Sequence, residues 1–369
     1  MSMEDFGKWM EIVRQVLERP VPQETLQVDE EDRPELVWWK CKKWAAHLMS
    51  RIFERYGQPG QTQAAYNKFA DYYLKQFTGP TIETMLRILH SYRTGEYVSP
   101  RVLHKAIEYL QSGLSHAFTW KFIKPHMQEI IRDVVFPLMS FSDQDQELWD
   151  DDPIEYIRFK HDIFDDLINP SAAAKQFLVG SMKRKGELKG IVQFIVGVLT
   201  SPEQSPRQLD GALHMVGSIA ETLTKKKPYK LELENMITAH VLPKFNNEHA
   251  YLRARACWCL EQFSDAQISR ESTIRQIVEC AAGAVLRDEH LPVKVEGCLA
   301  LQALLDDQAK VEEILGTMIQ PVVLEVLRLI KETHCEELTA VMDKLITTYL
   351  EKIVPIAVEV AQGLVSTAL

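Results

Sequence analysis

Ten carboxylates crowd residues 142–166, SDQDQELWDDDPIEYIRFKHDIFDD, and only Arg158 and Lys160 oppose them. The acids are Asp143, Asp145, Glu147, Asp150, Asp151, Asp152, Glu155, Asp162, Asp165 and Asp166. Carboxylates at this density suit three chemistries: a calcium site, a general acid/base pair, or attraction of a basic partner. The spacing Asp143-x-Asp145-x-Glu147 imitates the start of an EF-hand loop. With Asp143 in the first position, however, Leu148 falls where the turn glycine belongs and Ile154 where the bidentate glutamate belongs. An acid/base pair needs two acids held across a cleft in unequal environments, which a run of neighbouring acids in a turn does not supply. Elsewhere the chain has no GxxxxGK, GxGxxG, GxSxG or HExxH, and its 11 histidines are scattered. The expectation is therefore no catalysis, no metal and no cofactor, which leaves attraction of a basic partner.

The charge distribution supports that reading. The chain has 42 Lys+Arg against 52 Asp+Glu, a net charge of −10, and without the acidic stretch only −2 remains. Acidity so localised points to a basic partner and away from nucleic acid as a direct ligand. Part of it has a local cause: Asp152-Pro153-Ile154-Glu155 reads as a helix start, with Asp at the cap and Pro in the first helical position. Asp143, Asp145, Glu147 and Asp150 fall in the turn before it, and with Asp151 and Asp152 they form the candidate binding set. Trp149 reads as a packing anchor that pins the turn. The basic runs KRKGELK and TKKKPYK lie beside Gly186 and Pro228, at helix ends, where cations suit the negative helix terminus. In WWKCKKWAAHLM, Trp39, Lys42, Lys43 and Trp44 read as a helix with one wet face, its tryptophans in the core.

Helices must position these residues. Phe6, Trp9, Met10, Val13, Val16 and Leu17 recur at three and four residues, predicting a first helix that Pro20 and Pro22 end. A second runs through WWKCKKWAAHLMSRIFERYG and stops at Gly57. No sustained alternation of period two suggests a sheet. In the later half, DGALHMVGSIAETL, RACWCLEQFS and EGCLALQALL align on Gly211, Ala256 and Gly297, 45 and 41 residues apart. LTAVMDKLITTYL fits as a fourth copy with Ala340 another 43 residues on. Two helices per unit at this period predict an all-α, right-handed α-solenoid of HEAT repeats, each hairpin buried by its neighbours. The expected organisation is one continuous solenoid: irregular repeats over 1–141, an acidic inter-helix loop over 142–155 and further repeats over 156–369. The apolar ending PIAVEVAQGLVSTAL, with Glu359 its one charge, reads as the interior of a longer array.

The six cysteines sit mostly in apolar helical patterns, as reduced thiols of a reducing compartment do. Cys257 and Cys259, two apart on a helix, point to nearly opposite faces and cannot chelate together. The start MSMEDFGKWM lacks the basic region and apolar core of a signal peptide, and no run of about 18 apolar residues predicts a membrane-inserted helix.

The segments ETLQVDEEDRPELVWWKCKKWA, IFERYGQPG, SPRVLHKAIEYL, ELWDDDPIEYIRFKHDIFDD, DGALHMVGSIAE, YLRARACWCLEQF and LPVKVEGCLALQ resemble, in order, the middle of the importin-β superfamily. The likeness is to its importin seven and importin eight branch. The resemblance implies a HEAT solenoid that shuttles between cytoplasm and nucleus through the nuclear pore. The implied partners are basic cargo such as ribosomal proteins and histones, GTP-bound Ran, the FG repeats of nucleoporins, and importin-β. It also implies that Asp143, Asp145, Glu147, Asp150 and Asp151 match the family's acidic inter-helix segment, which meets basic cargo or Ran. The family's principal Ran site lies in amino-terminal repeats with no counterpart in this sequence. A scaffold subunit of a multiprotein enzyme complex is the other reading a HEAT array permits, although such scaffolds have more regular repeats than the first half here.

Overall fold

A computed structural model describes residues 3–60, 62–161, 169–358 and 362. Among them every regular element is helical, and no helix is long and apolar enough to cross a membrane. In chain order the principal helices of the first half are α1 (Met3–Glu18), α2 (Val37–Tyr56), α3 (Asn67–Gln76), α4 (Thr78–Arg93), α5 (Pro100–Gly113) and α6 (Ala117–Ile123). There follow α7 (Asp143–Asp151), α8 (Pro153–His161), α9 (Pro170–Ser181), α10 (Glu187–Thr200) and α11 (Pro206–Ser218). The rest are α12 (Ala250–Gln262), α13 (Glu271–Arg287), α14 (Leu291–Asp307), α15 (Ile319–Thr333) and α16 (Glu337–Ile353). Two compact units result, Met1–Met139 with Ile163–Phe194, and Ser140–Asp162 with Ile195–Leu369.

In the first unit α2, α5 and α9 pack side by side, and α4 packs on α5. Its core is aromatic. Phe6 meets Phe69 and Phe77 edge-on at 5.0 and 5.3 Å, and Phe53 meets Tyr109 at 5.1 Å. Gly57 ends α2 as expected, but with φ −93°, so no left-handed turn requires it. Close approach does: a Cβ there would lie 2.5 Å from the Tyr73 ring. Two sequence expectations fail in this unit. Trp9 is 60% and Trp44 58% exposed, so neither joins the core; Lys43 lies 4.9 Å over the Trp44 ring instead.

The second unit shows the repeat. The aligned small residues lie in α11, α12, α14 and α16, and these four helices form one layer in which each packs on the next. α13 and α15 pack behind α14 as the second layer. Gly211, Ala256 and Gly297 are all buried, and a Cβ on Gly297 would come within 3.3 Å of α13 backbone at Ala281. The fourth copy is out of register. Ala340 is exposed, and Leu338, Val341, Met342 and Leu345 fill the interface. α12 is covered all round, which is why Cys257 and Cys259 are both fully buried on opposite faces.

The helical stretches over 127–138 and 233–246 are interrupted by π-helical turns at Ile131–Val135 and Ile237–Val241. Each turn is followed two residues later by a proline, Pro137 or Pro243, whose missing N–H and ring clash with the preceding turn displace the α-helical bonding.

Candidate functional site

The acidic stretch is not a loop. Residues 143–151 form α7 and residues 153–161 form α8, both in the second unit, with a single non-helical residue, Asp152, between them. The local chemistry explains both starts. Ser142 caps α7 through a capping box: its hydroxyl accepts from Asp145 N–H at 3.0 Å, and the Asp145 carboxylate accepts from Ser142 N–H at 2.9 Å. Asp152 caps α8, accepting from the N–H groups of Ile154 and Glu155 at 3.1 and 2.9 Å. Glu155 does not close a second box; it lies 3.5 Å from Arg158.

Helical periodicity then sorts the acids. Asp143, Glu147, Asp150 and Asp151 stand at i, i+4, i+7 and i+8 on one face of α7, and all four are exposed. Arg207 donates to Asp143, and Gln146 donates to Asp150 at 2.9 Å. Asp145 points the other way. Its side chain is 17% exposed and pairs with Lys160 of α8 at 2.7 Å. Burial works against its charge, but the Lys160 ammonium and the Ser142 N–H and hydroxyl outweigh it, holding the carboxyl below the ordinary aspartate range. Of the six candidate residues, four therefore share an exposed ridge. Asp145 and Asp152 serve the helix starts, which corrects the expectation of a single acidic turn. Asp162, Asp165 and Asp166 lie outside the described residues.

Aromatic packing holds the ridge outward. Trp149, 4% exposed, meets Tyr156 edge-on at 4.9 Å, and its indole N–H donates to His290 Nδ1 at 3.3 Å. Phe141 stacks on Tyr251 with centroids 4.1 Å apart and planes 8° from parallel. Trp149 is the anchor the sequence suggested. The two basic runs flank helix ends as expected, one between α9 and α10 with Gly186 at φ 95°, the other around Lys225–Lys227.

Beneath α8 lies a cluster the sequence reading missed. Asp210, Arg255 and Glu296 each precede an aligned small residue, on α11, α12 and α14. Arg255 donates to Asp210 Oδ1 at 2.8 Å, with side-chain exposures of 16% and 1%. His161 Nε2 lies 3.7 Å from Glu296 Oε1. Burial raises Asp210 although Arg255 opposes it, and burial pushes Glu296 up to about 7 against the pull of Arg255 and Lys160. The signal was available: charged residues of alternating sign at repeat-equivalent positions of one layer, where their neighbours one period away are in reach. Among the described residues no group of three or more His, Cys, Asp or Glu side chains is arranged to hold a metal ion.

Comparison with known proteins gives a consistent set of likenesses. A family model described as Cse1 matches residues 3–220. Importin-8 of Mus musculus is 45% identical over 357 residues, covering 96% of this chain and 35% of the relative. Importin-8 of Homo sapiens is 44% identical with 96% and 34% covered, and an importin beta-like SAD2 homolog of Arabidopsis thaliana is 33% identical with 98% and 36% covered. The chain thus spans about a third of the length of these relatives. Among solved structures, the exportin Cse1 in its cargo-free, cytoplasmic state aligns over 99% of this chain and 46% of its own, at 15% identity and a TM-score of 0.48.

Proposed function

The chain belongs to the Cse1 family, within the importin-β superfamily and its importin-8 branch, and from that membership we propose that it serves a nuclear import receptor as a non-catalytic holder of basic protein cargo. The cargo surface is the ridge Asp143, Glu147, Asp150 and Asp151, and the cargo class is ribosomal-protein-like or histone-like chains rich in Lys and Arg. GTP-bound Ran, nucleoporin FG repeats and importin-β are the partners of transport in this reading, and the protein shuttles between cytoplasm and nucleus. One observation carries it: α7 turns four carboxylates to solvent on one face while Trp149 and Asp145 fix the opposite face. Like charges set this close repel one another unless they are well solvated or meet a cation, and a basic partner supplies the cation while the ridge steers its approach.

Titration of a basic protein such as a histone into the chain tests this. Binding should weaken steeply with added salt, because exposed charges are screened beyond about 8 Å at physiological ionic strength. It should be unchanged in EDTA. Binding indifferent to salt, or lost on chelation, would contradict the reading.

A further inference from the structure

Below α8, the layer α11–α12–α14–α16 carries one carboxylate from each helix: Asp210, Glu261, Glu296 and Glu337. Two consecutive residues of α8 face them. Lys160 sits against Asp145 and acts on both Asp210 and Glu296, while His161 lies beside Glu296 in the field of Glu261 and Glu337. A short helix ending in basic side chains thus lies on an acidic layer, as a bound basic peptide would.

The fit is incomplete. At the centre, Asp145, Asp210 and Glu296 face Lys160 and Arg255, with His161 beside Glu296. Two acceptor atoms show the incomplete fit: Asp210 Oδ2 and Glu296 Oε2 are buried without a hydrogen-bond partner. Asp210 is 1% exposed, so its carboxylate lies away from bulk solvent. A buried acceptor left unmet is costly, and a charged one more so. Burial also raises Glu296, against the pull of Arg255 and Lys160. α8 is also thinly attached by apolar contact: of its nine residues, only Tyr156 and Ile157 are buried. Its last two residues are held by polar contacts, Lys160 to Asp145 and His161 beside Glu296, and charge is what a basic ligand brings.

We propose that α8 is an internal stand-in for a basic ligand: when it lifts, the carboxylates of α11, α12, α14 and α16 take the Lys and Arg side chains of a basic segment of the cargo, for which Lys160 and His161 compete. The inference rests on the reading that the chain binds basic protein, and adds to the exposed ridge a second, covered surface for the same partner. Arg255 stays with Asp210 Oδ1 and leaves Oδ2 for the incoming cation.

The probe is an oligolysine peptide, titrated at fixed salt into the whole chain with all four ridge acids already neutralised (D143N, E147Q, D150N, D151N). In that background Lys160→Met removes the internal cation while keeping the bulk of the side chain, and should tighten binding severalfold. Adding Asp210→Asn and Glu296→Gln should abolish the gain. Unchanged or weaker binding on Lys160→Met overturns the inference, whereas loss of binding on neutralising the ridge bears only on the reading above. Hydrogen exchange on the unmutated chain provides a second measurement that requires no substitution. Saturating oligolysine should speed exchange at the amides of residues 156–161 if α8 is displaced. Slower exchange there would mean that peptide binds with α8 in place, and the inference fails.

Discussion

The two units are held together by different physics. The first buries aromatic rings against one another: Phe6, Phe53, Phe69, Tyr73, Phe77 and Tyr109 form one continuous cluster across α1, α2, α3 with the residue that follows it, and α5. The second is laced by ion pairs roughly one repeat apart, Asp210 with Arg255, Glu234 with Arg270, Asp288 with Arg253, Glu271 with Lys310 and Glu325 with Lys294. Large rings fill irregular space between helices, and the first unit has helices and connections of uneven length. Ion pairs between successive helices are set differently. They join side chains 31 to 45 residues apart, and the second unit is where a period is visible in the sequence.

The largest effect expected from this difference comes from breaking one pair. Arg255→Met strands Asp210 in the interior and should cost roughly 3–5 kcal/mol, whereas adding Asp210→Leu should recover most of it. Chemical denaturation of the two variants measures this. A Phe53→Ala variant should cost a similar amount, but with no rescue by truncating Tyr109, since removing both rings only enlarges the cavity.

Next in size is a pH effect confined to the second unit. The folded pKa of Glu296, about 7, lies above the ordinary 4.5. The folded state therefore keeps a proton that the unfolded chain releases, and stability falls as pH rises from about 4.5 to 7, by roughly 3 kcal/mol in all. Glu296→Gln should flatten that fall and be the more stable protein above pH 7. His161 works in the opposite sense: burial lowers its pKa below 6.5, so its contribution is lost as pH falls below that value. The difference between Glu296→Gln and the parent isolates the carboxyl from it. Thermal melts of both across pH 5 to 8 give the answer, and parallel curves would show that Glu296 titrates normally.

A smaller effect sharpens the packing side of the contrast. Gly217 and Gly57 each sit under a ring, Trp258 in the second unit and Tyr73 in the first. Alanine at either should cost roughly 1–3 kcal/mol from overpacking. Tyr73 is enclosed by other rings, while Trp258 borders the Arg255 guanidinium at 5.0 Å and His214 at 5.1 Å. Gly57→Ala should therefore be the more damaging of the two, as a shift in melting temperature would show.

How much of this was legible in the sequence follows the same division. Helix spacing, the Asp152-Pro153 cap and the Gly211, Ala256 and Gly297 period rest on local chemistry or on repetition, and all three hold. Ser142-x-x-Asp145 carried a capping signal too, but the charge density around it reads as a turn, so α7 went unseen. Trp44 was placed in the core because its type suggests burial, yet its exposure is decided by which side of α2 lacks a neighbour. Ala340 fits the repeat by spacing alone, and only packing shows that α16 presents a different set of residues. Asp145 could not be separated from Glu147 by composition. What separates them is the direction each takes from α7, and the Lys160 partner waiting on one side only.

That separation is the central claim, and two variants test it directly: the four-residue ridge variant and Asp145→Asn, each titrated with a histone while its melting temperature is followed. Neutralising Asp143, Glu147, Asp150 and Asp151 should weaken binding strongly and change stability by no more than about 0.5 kcal/mol, as surface substitutions do. Asp145→Asn should do the reverse, lowering the melting temperature by unpairing Lys160 and weakening the α7 capping box, with cargo affinity far less affected. Equal loss of affinity in the two variants, or full binding by the ridge variant, would contradict the account.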